Sequence, residues 1–117
     1  MQSGHMNKLT DDIFKKNVLG KQLALVEFTQ DESGLCYIVG KIIRKIERDY
    51  GKEIGFFQID FSENKKSVNE FRISRVPTIL FFKNGDLIDR LVGTISENEI
   101  ISRIDSNMKI QSIHCDE

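Results

Sequence analysis

Two cysteines carry the most reactive side chains of this sequence, Cys36 and Cys115. Cys36 closes the tetrapeptide Ser33-Gly34-Leu35-Cys36, in which a hydroxyl group lies three positions before the thiol. A thiolate can attack a disulfide bond, whereas a serine hydroxyl is too weakly acidic to act in this way and cannot form an S–S bond. Thiol–disulfide chemistry at this motif would therefore depend on one sulfur atom.

Two opposing effects act on the ionisation of Cys36. Ser33 is a good helix N-cap, so Cys36 falls in the first helical turn, where the positive end of the helix dipole favours a thiolate. Glu27, Asp31 and Glu32 precede it without an intervening base, and nearby negative charge disfavours a thiolate. Three roles stay open from the residues alone: a packed reduced thiol, a thiol that forms mixed disulfides, and a metal ligand.

The second cysteine follows His114 close to the end of the chain. This pair lacks the spacing of a zinc site, and the two further ligands that such a site needs are missing. We therefore expect no metal site, and we expect residues 111–117 to form a flexible tail. The opening Met1-Gln2-Ser3-Gly4-His5-Met6 reads like a protease and cloning scar, so residues 1–6 are set aside.

Length and composition indicate one domain over residues 7–110, because 117 residues that are 39% hydrophobic and 30% charged suffice for one core. The 17 basic and 18 acidic residues give a net charge of −1. This balance provides no general attraction to nucleic acid or to an anionic membrane, and we expect neither as a partner. No apolar run approaches the roughly 18 residues of a membrane span.

Hydrophobic periodicity predicts alternating helices and strands. Thr10 and Ser96 are predicted N-caps of the first and last helices, with Asp11 and Asp12 in the first turn of the former. The dipeptide Asn84-Gly85 predicts a tight hairpin turn. Apolar spacing predicts helices at 10–20, 33–50, 64–73 and from 96, and strands at 22–29, 54–61, 78–82 and 87–92. This order predicts an α/β fold with a mixed central sheet and helices on both faces.

Several segments in this order resemble the thioredoxin family. They are Leu9-Thr10-Asp11-Asp12, Ala24-Leu25-Val26-Glu27-Phe28, Ile59-Asp60, Val76-Pro77-Thr78, Phe82-Lys83-Asn84-Gly85 and Gly93. The resemblance covers nearly all of residues 7–110 and implies the thioredoxin fold, a central mixed sheet of four to five strands flanked by helices on both faces.

The active-site motif departs from the family pattern. Where the family typically has Trp-Cys-Gly-Pro-Cys, this chain has Glu32-Ser33-Gly34-Leu35-Cys36. The resemblance makes Cys36 the resolving cysteine and places Ser33 at the position of the attacking one. It therefore implies a disulfide oxidoreductase that lacks its attacking thiol. Whether Ser33 is native or was introduced to block turnover stays open at this point.

Two further assignments come from the resemblance. Glu27 takes the place of the buried acid that accepts the proton of the resolving thiol, although the strand lysine that would pair with it corresponds to Phe56. An acid that simply reaches solvent is the alternative. Burial among apolar neighbours would raise the pKa of Glu27. Pro77 is assigned a cis peptide that faces Cys36. Substrate contacts are assigned to Glu32, Gly34, Leu35, Val76, Pro77 and Gly93.

The resemblance implies a role in thiol–disulfide redox homeostasis, through mixed disulfides between Cys36 and a protein thiol partner or glutathione. The alternative is a redox-inactive interaction module that keeps the fold and the docking edge at Pro77. Glu32 and Arg75 make that edge more polar than in the family. The last helix would run about 22 Å away from the active-site edge, so no Cys36–Cys115 bridge is expected. We expect a monomeric, cytoplasmic protein without a cofactor.

Overall fold

The computed structural model describes the backbone of residues 7–116 and the side chains of residues 7–108. Within this part, strands and helices alternate as the sequence predicted, with one additional strand at the start. The elements are β1 (Asn7–Leu9), α1 (Phe14–Leu19), β2 (Leu23–Thr29), α2 (Gly34–Tyr50), β3 (Gly55–Asp60), α3 (Lys65–Glu70), β4 (Thr78–Lys83), β5 (Asp86–Val92) and α4 (Glu97–Asp116).

The five strands form one mixed sheet in the order β1-β3-β2-β4-β5. β3 lies parallel to both β1 and β2, whereas β4 is antiparallel to β2 and to β5. The thioredoxin fold expected from the sequence, with its mixed central sheet, is therefore confirmed. β2 lies at the centre, and its residues from Leu23 to Phe28 are all buried, as the nearly continuous apolar run predicted.

Helices cover both faces of the sheet, because side chains alternate between the two faces of each strand. Residues of β2, β3 and β4 such as Leu25, Phe56 and Ile79 pack with α2 and α4 on one face. Residues such as Val26, Phe57 and Leu80 pack with α1 and α3 on the other. Each fully buried side chain of this size contributes about 1.5–3 kcal/mol to folding.

Local sequence signals correctly located three element boundaries. Ser33 caps α2, and its side chain accepts the backbone N–H of Cys36. Ser96 and Glu99 bond each other's backbone N–H groups in a capping box at the start of α4. Asn84 and Gly85 both have positive φ, 51° and 90°, as the tight turn between β4 and β5 requires.

The start of the chain differs from the prediction. β1 was not predicted, because it has three residues of which only Leu9 is buried. The predicted cap at Thr10 is wrong, since α1 begins at Phe14 and has Ile13 as its N-cap. Asp11 instead accepts the backbone N–H groups of Lys66 and Ser67 in the first turn of α3.

The last helix extends further than expected. Its backbone continues through residues 111–116, where the sequence predicted a tail. The side chains of His114 and Cys115 lie outside the described residues, as do residues 1–6, to which the cloning scar was assigned. Among the helices described, none is long and apolar enough to cross a membrane.

Candidate active site

The turn between β2 and α2 positions the Ser33-to-Cys36 motif. β2 ends at Thr29, and α2 begins at Gly34 immediately after its cap, Ser33. The Ser33 hydroxyl oxygen accepts a hydrogen bond from the backbone N–H of Cys36 at 3.1 Å. This bond joins Ser33 to the backbone of Cys36 and not to its sulfur. Cys36 is a free cysteine with 3% of its surface exposed. The motif thus holds the thiol in the first turn of α2, largely covered by protein.

A groove of about 140 Å³ lies between the start of α2 and the ends of β2 and β3. Its walls include Cys36 and polar residues of the neighbouring strand and helix. The lining residues are Thr29, Gln30, Asp31, Cys36, Tyr37, Gly40, Arg44 and Gln58. The largely buried Cys36 therefore lies at the wall of a groove.

Glu27 is the buried acid beneath this groove, with 0% of its surface exposed. Its Oε1 accepts a hydrogen bond from Nε2 of Gln58 at 3.3 Å, whereas its buried Oε2 has no hydrogen-bond partner. Burial raises the pKa of Glu27 from 4.5 to about 7, although the Gln58 hydrogen bond and the charge of Arg44 act to lower it. A carboxyl group that changes charge near neutral pH can accept and return a proton.

Gly40 connects the thiol with this carboxyl group. It lies four residues after Cys36 on α2, which is about 6 Å along the helix. A Cβ at Gly40 would lie 3.8 Å from Oε1 of Glu27. Cys36 and Gly40 also line the same groove. The carboxyl group of Glu27 therefore lies beside α2, about one helical turn along the helix from Cys36.

Sequence reasoning missed two residues of this site, Gln58 and Arg44. Phe56, at the position of the family's strand lysine, is buried in the core, as its apolar side chain dictates. Gln58 reaches Glu27 because the two residues are paired in register on β3 and β2. Arg44 supplies a nearby positive charge from α2, so the acid has a cation at a position other than that of the family's strand lysine. The sequence signal that could have identified Arg44 was its position on the same face of α2 as Cys36, two helical turns further along.

The predicted docking residues lie at the same end of the sheet. Thr78, which follows Pro77, pairs with Phe28 near the carboxyl end of β2, from which the chain continues to Ser33. The Val76–Pro77 peptide is cis. The backbone N–H of Gly93 donates to the carbonyl of Pro77 at 2.9 Å, which brings Val76, Pro77 and Gly93 together.

The remaining predicted docking residues flank Ser33. Glu32 and Gly34 are exposed, whereas Leu35 is partly buried and packs against the core on the α2 face. Tyr37 and Ile38, which the sequence analysis did not select, follow Cys36 with 64% and 56% of their surfaces exposed. The start of α2 therefore presents an apolar surface beside the thiol.

Comparison with known proteins defines the class. The family model described as thioredoxin matches residues 5–106, and the chain belongs to the thioredoxin family. Thioredoxin of Rickettsia felis is 31% identical over 103 residues, which cover 87% of this chain and 98% of that protein. Thioredoxin 2 of Chlorobaculum tepidum is 28% identical over 107 residues, covering 91% and 98%.

Solved structures share the fold at low sequence identity. A chain from a study of the thiol resolving mechanism in yeast mitochondrial 1-Cys peroxiredoxin via glutathione/thioredoxin systems aligns with a TM-score of 0.81. It is 19% identical, and the alignment covers 91% of this chain and 99% of that one. A mutant thioredoxin from Halobacterium salinarum aligns with a TM-score of 0.75 at 19% identity, covering 91% and 93%.

Proposed function

We propose that this member of a redox family acts through Cys36 alone, forming mixed disulfides with protein thiol partners or glutathione. The observation that supports the proposal is the arrangement of one thiol and one buried acid. Cys36 borders the groove from the first turn of α2, and the unpartnered carboxylate oxygen of Glu27 lies about one turn below. Ser33 serves this site as the helix cap.

In the proposed step, the proton of the Cys36 thiol passes through one bridging water molecule to Glu27 as the sulfur attacks a partner disulfide. One S–S bond forms between Cys36 and the partner sulfur, and the partner's own S–S bond breaks, releasing the second partner sulfur as a thiolate. An external thiol such as glutathione then attacks the mixed disulfide. Cys36 leaves as a thiolate and recovers its proton from Glu27, while the partner and the external thiol are joined by the new disulfide.

A second function, that of a redox-inactive interaction module, is favoured by the coverage of the thiol. Only 3% of the surface of Cys36 is exposed, whereas Tyr37 and Ile38 beside it are more than half exposed. A partner could dock on this surface without forming a covalent bond. In that case the thiol would serve as a small apolar side chain of the core.

Partner capture in the Cys36→Ser variant distinguishes the two functions. The redox function predicts that a disulfide-bearing partner is captured by the parent chain without reductant, released by reductant, and lost with Cys36→Ser. Cys115→Ser is the matched control and should capture as the parent does. Capture that survives Cys36→Ser would contradict the redox function and support the interaction module.

A further inference from the structure

Gly40 leaves a small space between two opposite charges. A Cβ at this position would lie 3.6 Å from Nη1 of Arg44 and 3.8 and 4.0 Å from Oε1 and Oε2 of Glu27. These are ordinary contact distances, so an alanine would fit, and glycine inside a helix costs about 1 kcal/mol relative to alanine. The guanidinium group of Arg44 and the carboxyl group of Glu27 therefore face each other across a position without a side chain.

Arg44 provides the positive charge that faces this carboxyl group. From β3, Glu27 receives the neutral amide of Gln58, and from β4 it is paired in register with the apolar Ile79. From α2 it is faced by Arg44, and Cys36 lies on the same helix two turns before Arg44. The charge of Arg44 lowers the pKa of Glu27 against the effect of burial, after the larger contribution of the Gln58 hydrogen bond.

A second acid, Glu47, competes with Glu27 for the charge of Arg44. Glu47 follows it on α2, with a buried Oε1 that has no hydrogen-bond partner. Burial raises the pKa of Glu47, and the charge of Arg44 acts against that rise. Asp31 lines the groove together with Arg44. The charge of Arg44 thus acts on two acids, of which Glu27 is the more deeply buried.

We propose that Arg44, reaching across Gly40, is the positioning residue that sets the charge state of Glu27 beneath the thiol of Cys36. The inference rests on the proposed function for its chemical purpose, namely proton acceptance from Cys36. Arg44 itself takes no part in bond making. Its positive charge keeps part of the buried carboxyl ionised at neutral pH, and a neutral side chain at this position leaves Glu27 protonated.

Titration of Glu27 in matched variants tests the inference. The carboxyl carbon of Glu27 is followed by NMR against pH in the Cys115→Ser chain and assigned with Glu27→Gln. Arg44→Gln is expected to raise the titration midpoint by about one pH unit, the lower range for removing a nearby opposite charge. In Arg44→Lys, which keeps the positive charge, the midpoint should stay close to that of the parent. In Arg48→Gln, at an exposed position one turn further along α2, the midpoint should be unchanged. An unmoved midpoint in Arg44→Gln, or an equal shift in Arg44→Lys, overturns the inference.

The rate of Cys36 alkylation against pH, in the same variants, separates the inference from the proposed function. An inflection that moves together with the Glu27 midpoint supports both. If the midpoint moves while the alkylation profile keeps its shape, the role of Arg44 stands and the role of Glu27 as proton acceptor for Cys36 is refuted. A purely structural effect of Arg44 would change the rate at all pH values without moving an inflection.

Discussion

Replacing Glu27 by glutamine should remove a large part of the pH dependence of folding. The carboxyl group is fully buried, and one of its oxygens has no hydrogen-bond partner. Burial raises its pKa from 4.5 in the unfolded chain to about 7 in the fold. The folded state therefore binds the proton more tightly than the unfolded state, which makes folding more favourable in acid.

The sign of the effect follows from proton linkage. Below pH 4.5 the carboxyl is protonated in both states and the stability associated with it is fully present. As the pH rises, the unfolded chain ionises first, so stability falls until the folded group ionises near pH 7. For this pair of pKa values the loss through Glu27 is about 2–3 kcal/mol between about pH 5 and pH 8.

Urea unfolding followed by circular dichroism at several pH values measures this loss. In Glu27→Gln the new amide lacks a partner at the position of Oε2, which costs about 1–3 kcal/mol at every pH. The stability difference between variant and parent should nevertheless change in the variant's favour by about 2–3 kcal/mol between pH 5 and pH 8. Glu63→Gln, at an exposed carboxyl, is the control and should show little change. A difference for Glu27→Gln that is independent of pH would refute the reasoning.

Four other substitutions give independent tests. Asp11→Ala removes the acceptor for the first turn of α3 and should cost about 1 kcal/mol at pH 7. Burial acts to raise the pKa of Asp11, but the hydrogen bonds from α3 outweigh burial and lower it. The cost of Asp11→Ala should therefore fade as the pH drops below 3.8. The control Asp12→Ala should cost little. Gly85→Ala and Gly93→Ala, both at positive φ, should each cost about 1 kcal/mol in denaturant unfolding; a larger cost at Gly85 would show that the exposed Leu19 cannot move aside from the added methyl. The parent chain should be nearly inactive in insulin reduction and Ser33→Cys should gain activity, whereas equal activities would mean that the attacking position does not limit turnover.

The sequence predicted those parts of the structure that depend on local chemistry. Ser33 caps α2 because its hydroxyl oxygen is within reach of a backbone N–H three residues later. Asn84 and Gly85 form the turn because both tolerate positive φ. The alternation of apolar runs then sufficed for the order of the main helices and strands.

The errors arose where a distant element decides the outcome. Asp11 was assigned to the first turn of its own helix, but its oxygens bond the start of α3, more than 50 residues away. β1 is stabilised by pairing with β3 rather than by its own apolar pattern. Neither interaction leaves a signal within a short window of sequence.

The candidate site shows the same division. The thiol and the acid were found through their residue types and the family resemblance. Gln58 and Arg44 were missed, because their importance comes from the register between β2 and β3 and from a glycine one helical turn before the arginine. The apolar surface at Tyr37 beside Cys36 depends on which face of α2 the core covers.

The reaction of folded Cys115→Ser with oxidised glutathione tests the central proposal most directly, because Cys36 is then the single thiol of the chain. Intact-mass spectrometry should show one glutathionyl group per chain under native conditions, removable by reductant. The rate should fall in Glu27→Gln, and the group should be absent in the double variant that also carries Cys36→Ser. Glutathione that attaches only after denaturation would contradict a redox role for Cys36.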